Sequence, residues 1–405
     1  MSMPAEKVEI GLIASPAGAL RFTLDDSLKG VLDNTEYPLG GGSVFVDVTS
    51  RVRRFGISRG RSGLFSSFPA GQVNVEFNNH DRAFDPLFGS SPFAGDIVPR
   101  REIRVTSGTT VIYTGWIDDW NYSYTPDGDS VAEAIGYDAI SILSGQTLTG
   151  GTPTSQLTGA RVEAVLNDVN WSSDLRNIDA GQALLSAAPI EADTNAMAYL
   201  QQVASSEPGF VFVAKNGNLT FLDRSQTPTT GSYVTFGGTG VPFQNLDVLY
   251  GSDNLYNQVI ASRVGGGTAT ATDLDSVTDY GLRSLSQTDL LLNSDTDLAE
   301  LALVLTQRYS LPEYRFNSLE VGLHKLGSSQ QHEVLGMEIG SIARVIFTPN
   351  GIGDAIDRYV QVISINHSVN PESHYVEFGF QSVDAAYLVL DDPEFGKLDT
   401  YSLSW

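Results

Sequence analysis

The run from Gln72 to Pro86 constrains this chain more than any other stretch. Val73, Val75 and Phe77 alternate with Gln72, Asn74 and Glu76. Period-two alternation specifies a strand with one buried face. Asn78-Asn79-His80-Asp81 then ends it, because Asn and Asp side chains bond their own backbone in turns. Phe84-Asp85-Pro86 anchors and stops the loop, since proline cannot donate to a ladder. Strand signals return at Val98–Val105, Val111–Trp120 and Val131–Asp138, and Pro126-Asp127-Gly128 turns the chain between the last two. With Val44, Val46 and Val48 alternating at its entry, residues 1–145 read as one β-module.

A second β-module is expected over residues 230–390, with strands at 319–323, 342–347, 359–369 and 375–380. Val376, Phe378 and Phe380 alternate in the last. Ser294-Asp-Thr-Asp297 has the capping-box pattern and starts a helix with Leu298, Leu301, Ala302 and Leu305 on one face. Between the modules, residues 146–229 read as α+β. Val162, Val165, Leu166 and Val169 make one helical stripe. Ala196, Tyr199, Leu200 and Val203 make another, with Thr194 as a plausible N-cap. Phe210–Leu222 is a hairpin around Asn216-Gly217, read as a type I′ turn. Residues 391–405, ending in Trp405, form an arm that must dock on something. The fold class is therefore mainly β with an α+β insertion.

Of the 405 residues 41% are hydrophobic, enough for real cores, and only 18% are charged. The net charge of −24 argues against stable nucleic-acid binding, which needs Lys and Arg to displace counterions. There is no cysteine, so no disulfide or thiolate metal site. No apolar run reaches the ~20 residues that span a bilayer, and the first residues lack a secretion-signal pattern.

The order of strand, Asn-Asp-rich loop, basic strand, Gly115-Trp116-Ile117 strand and a last strand into Tyr137-Asp138 resembles the N-terminal domain of minor tail proteins of long-tailed phages, the tail-hub or baseplate-hub family. Ser276-x-x-x-Tyr280-Gly281-x-Arg283 and the Asn216-Gly217 hairpin extend the resemblance, more loosely, to about Leu390. It implies two barrel-like, tail-tube-type modules related by a pseudo-repeat, although the halves show no convincing sequence identity. It further implies a structural hub ring, usually a homotrimer, in the virion tail tip and made in the host bacterial cytoplasm. Its partners would be distal tail and tail tube proteins, the tape-measure protein, and tail fibre or tip proteins. The rival readings are a receptor-binding or a cell-wall glycan-degrading tip protein.

No catalytic, cofactor-binding or metal residue is assigned. Gly56-Ile57-Ser58-Arg59-Gly60 matches the hydrolase pattern but lacks the helix its elbow needs. Asp118-Asp119 beside Trp116 and Trp120 offers a carboxylate pair, but neighbouring strand residues face opposite ways. Asp273, Asp275 and Asp279 lack the Gly and terminal Glu of a calcium loop. The five histidines have no metal spacing. Arg51, Arg53, Arg54, Arg59 and Arg61 form the one dense basic cluster of an acidic chain. With Trp405, they are the residues expected to dock on a partner.

Overall fold

The computed structural model describes residues 3–12, 44–225 and 233–383. The expected arm over 391–405, Trp405 included, lies outside them.

The first half of the chain contributes β1 (Glu6–Leu12), β2 (Val44–Asp47), β3 (Val52–Gly60), β4 (Gln72–Asn78), β5 (Arg101–Ser107), β6 (Thr110–Tyr124) and β7 (Ser130–Tyr137). A short helix, α1 (Ala139–Leu143), follows. The alternation read in the sequence is what packs this half. Val73, Val75 and Phe77 are buried, and Phe77 stacks on Phe84, which stacks on Trp120. The loop after β4 closes as expected. Asn79 is buried and its side chain accepts the Phe84 N–H at 3.0 Å, holding that ring in the core.

The insertion holds β8 (Gln156–Leu157), α2 (Thr158–Asp168), β9 (Arg176–Ile178), β10 (Leu184–Leu185), α3 (Ala196–Ser205), β11 (Phe210–Val213) and β12 (Leu219–Leu222). Both helical stripes are buried, apart from partly buried Val169, but Asn195, not Thr194, caps α3, accepting the Ala198 N–H. The β11–β12 hairpin also departs from expectation in its turn. Gly217 has φ +92° while Asn216 keeps a negative φ, and the Gly217 N–H reaches the Ala214 carbonyl. A type I′ turn needs two positive φ angles. This chain uses one, with Gly217 in the bulge position.

The remainder holds β13 (Val234–Gly237), β14 (Asn245–Tyr250), β15 (Gln258–Arg263), β16 (Thr268–Thr272), α4 (Leu274–Tyr280), β17 (Ser284–Leu290) and α5 (Asp295–Tyr309). These are followed by β18 (Tyr314–Gly322), α6 (Ser328–Gly336), β19 (Ile342–Phe347), β20 (Ile356–Asn370) and β21 (Ser373–Ser382). Strands β15–β17 and α5 stand apart with their own core of Val259, Ala261, Leu298, Leu301 and Leu305. Ser294 caps α5 as expected, since its side chain accepts the Asp297 N–H at 3.1 Å. Asn257, fully buried, ties this unit together. Its side chain donates to Ser276 Oγ and the Gly281 carbonyl and accepts the Arg283 N–H.

The two halves repeat one topology. In the first, β3-β4-β7-β6-β5 lie side by side, and in the second β14-β18-β21-β20-β19 do, all antiparallel. The long strand of each half, β6 or β20, carries a bulge at the same place, skipping Asp118 or Ile363. Seats therefore correspond. Val75 and Phe77 face Ala134 and Ala132, where Leu319 and Val321 face Phe378 and Val376.

The mainly β class with its insertion is as expected, but the two modules share one ladder. Strand β20 outruns its partner β19, and its surplus from Ser364 to Val369 pairs with the free edge of β3. Among the described residues, thirteen strands form one sheet as a result.

Candidate functional site

The seam between β3 and β20 carries two clusters of buried polar side chains. Alternation along β3 sends Phe55, Ile57 and Arg59 inward and leaves Arg54 and Ser58 exposed. Gly60 ends the strand at φ +113°, where an added Cβ would lie 2.3 Å from the Ile363 carbonyl oxygen. Only glycine permits that approach.

A buried cation must be paired. Arg59, 4% exposed, donates to Glu338 at 2.6 Å and to the Val213 carbonyl at 2.9 Å. Glu338 also accepts the Lys215 and Ile339 N–H groups. The Lys215 ammonium caps the end of α6 through the carbonyls of Leu335, Gly336 and Met337 at 2.7–3.0 Å, and burial lowers its pKa. One ionic cluster thus joins the seam, the insertion and the α6 segment. Nearby, Asp138 caps α1 by accepting the Ile140 N–H, and accepts the Gly71 N–H as well. Burial pushes its carboxyl up to about 7.

A second buried chain joins the two halves further along the same face of the seam. His367 Nδ1 lies 2.9 Å from His374 Nε2, and His374 Nδ1 lies 2.7 Å from Glu6 Oε1. Burial holds His367 well below the ordinary imidazole pKa. The hairpin spacing placed the two histidines near one turn. Glu6, far away in sequence, carried no signal of its own.

The five arginines do not gather into one patch. Arg51 pairs with Asp81 at 2.7 Å, Arg53 with Asp129 at 2.5 Å and Arg54 with Glu76 at 2.7 Å, all within the first half. Arg59 faces the interior. Arg61 lies over Phe68 and Phe210, donates to Gln381 at 2.9 Å, and has its pKa lowered by burial to about 10.

The other motifs take structural positions. Gly56–Gly60 lies wholly within a strand, and Ser58 Oγ donates across the seam to Asn366 at 2.8 Å. Asp118 lies 3.3 Å from Arg100 and Asp119 is exposed. Asp273 caps α4 by accepting the Ser276 N–H, so that carboxylate serves a helix. Among the described residues, no three His, Cys, Asp or Glu side chains come together as a metal site. None of the described helices is long and apolar enough to cross a membrane.

No protein-family model matches the chain, and no curated protein matches it. Solved structures do. A tail protein from Neisseria meningitidis MC58 superposes with a TM-score of 0.58 at 13% identity, covering 94% of this chain and 97% of that one. The 43 kDa tail protein of prophage MuSo2 from Shewanella oneidensis gives 0.53 at 16% identity, covering 85% and 96%. The doubled sheet with its insertion is therefore the fold of these two tail proteins, shared over nearly their whole length.

Proposed function

We propose that this chain is a structural component of a phage-type tail, a hub ring at the tail tip. It links the tail tube and distal tail to tip proteins or fibres, and surrounds the path of the tape-measure protein and DNA. The single observation that carries this reading is the end-to-end fold match with the tail protein from Neisseria meningitidis MC58, 94% of one chain against 97% of the other. The doubled five-strand unit supports it. Two like units per chain turn three chains into six wall segments, which suits a sixfold tube. Closed rings arise when one head-to-tail contact repeats by a fixed rotation.

The wall facing the DNA is acidic or neutral in this reading. The chain carries −24, and Arg51, Arg53, Arg54 and Arg59 are each engaged by a carboxylate. Phosphates then find few cations to hold them, and acidic side chains repel them over ~8 Å at physiological salt. Imaging of tails labelled on this chain tests the proposal. Three copies around the axis at the tip are expected. Six copies, one copy off the axis, or a label confined to fibres would overturn the ring. Turnover of purified peptidoglycan by the chain would favour the glycan-degrading alternative instead.

A further inference from the structure

The seam inside one chain is a template for the contact between chains. In the seam, residues 364–369 at the end of the long strand β20 pair with β3, the first strand of the other five-strand unit. Strand β6 has the equivalent surplus. Its pairing with β5 stops at Ile117, so past the bulge at Asp118, among the described residues, Asp119–Tyr124 are paired with β7 alone. Strand β14, the equivalent of β3, is paired only with β18. Among the described residues, both edges lack a backbone partner. Open edges are templates for another strand.

Both edges also carry exposed apolar side chains. Tyr124 is 58% exposed on β6, and Leu249 and Tyr250 are 48% and 71% exposed on β14. Exposed edge strands of this kind are usually blunted by charge or proline. Neither edge contains Pro, Lys or Arg; β14 has one acid, Asp247, and on β6 the acids Asp118 and Asp119 sit at the start of the edge, leaving Trp120–Tyr124 without charge.

We infer that β6 of one copy pairs antiparallel with β14 of a second copy of this chain, continuing the sheet around a closed ring. The register follows from the internal repeat. The shared bulge sets Asp119–Tyr124 in the place of Ser364–Val369. Leu246 takes the place of Phe55, since they lie opposite the equivalent residues Leu319 and Val75. Within the chain, Phe55 pairs with Val369 and Ser58 with Asn366. Between chains, Leu246 then pairs with Tyr124, and Leu249 with Asn121. The contact is head to tail, because each copy offers β6 to one neighbour and β14 to the other. It rests on the ring reading above and adds the strands and the register.

The chain has no cysteine, so an engineered pair reports one contact only. In the full chain carrying Leu249→Cys and Asn121→Cys, mild oxidation should give a covalent ladder that stops at the closed ring. Mixing the two single variants should give dimers, which places the bond between chains. The shifted pair Leu249→Cys with Ser123→Cys should link at least about tenfold less, because diagonal neighbours lie ~7–8 Å apart, beyond disulfide reach. Ser58→Cys with Asn366→Cys should close within one chain and leave the mass unchanged. Light scattering separates the two ideas. Copies that associate without linking at 249 and 121, or that link equally well in the shifted pair, overturn the edge pairing and leave the ring standing. A chain that stays monomeric at the concentrations of the assay overturns both.

Discussion

The two five-strand units share an order, a strand direction and a bulge, yet fill equivalent seats with different side chains. In the first unit Phe77 faces Ala132 and Val75 faces Ala134. In the second, Val321 faces Val376 and Leu319 faces Phe378. All eight are buried. Large opposite small in one unit becomes medium opposite medium, or large opposite large, in the other. The Phe77–Ala132 and Val321–Val376 pairs keep a similar shared volume, an exchange that cores accept, whereas the Leu319–Phe378 pair is larger than its Val75–Ala134 counterpart. The units also differ in what their loops carry. The first strands of the first unit are joined by a short loop, whereas those of the second enclose the whole β15–α5 unit.

The sharpest break in this comparison lies where the units meet. Glu338→Ala leaves Arg59 buried without its carboxylate and should cost ~3–5 kcal/mol in denaturant unfolding. Replacing both partners by methionine should recover most of that loss, because no charge is then stranded. A single variant as stable as the parent would show that the cluster does not hold the seam.

Seat exchange within a unit comes next. Phe77→Val should cost roughly 2–4 kcal/mol, a little under the range for Phe→Ala. Adding Ala132→Val recreates the Val321–Val376 pair of the other unit and should restore about half. If the second change destabilises further, the seats are not equivalent.

The pH response separates two buried groups on the two sides of the seam. The Asp138 carboxyl is raised to about 7 from 3.8. The folded chain holds that proton when the unfolded chain has lost it, so this contribution is full below 3.8 and disappears as pH rises through about 7. His367 is shifted the other way, below 6.5. The unfolded imidazole takes the proton first, so its contribution is full above 6.5 and falls away as pH drops. Asp138→Asn should therefore remove a loss of stability on going from pH 4 to 7. His367→Asn should remove a loss on going from pH 7 downward. Unfolding midpoints across pH 4–8 that keep the parent slope in either variant would contradict the assignment.

The smallest effect is expected at the rim of the first unit. Arg54→Ala removes an ion pair whose arginine side chain is 71% exposed and should change stability by no more than ~1 kcal/mol. A larger loss would mean that the arginines near β3 act together.

Local patterns in the sequence determined the elements. Alternation at Val73–Phe77 and Val376–Phe380 gave strands, because a pleated strand buries every second residue. The stripes at Val162–Val169 and Leu298–Leu305 gave helices, and Ser294 with Asp297 marked a helix start that the structure keeps. The acidic charge and the resemblance to tail proteins were legible too, and the fold bears out the architecture. The repeat was implied by the resemblance alone and could not be read from the residues, and the site was not legible. The repeat was hidden because a seat constrains volume shared with a facing strand, so Phe77 and Val321 need not look alike. The turn at Asn216-Gly217 was misread because its backbone follows from the strands it joins. The arginine cluster looked continuous along the chain, but alternation on β3 and the acids brought up by other strands sent each guanidinium to its own partner. Glu6, His367 and His374 became one chain of contacts only when the first strand and the last hairpin met. Pairing across hundreds of residues depends on which edges remain free after local elements form, and that choice belongs to the tertiary structure.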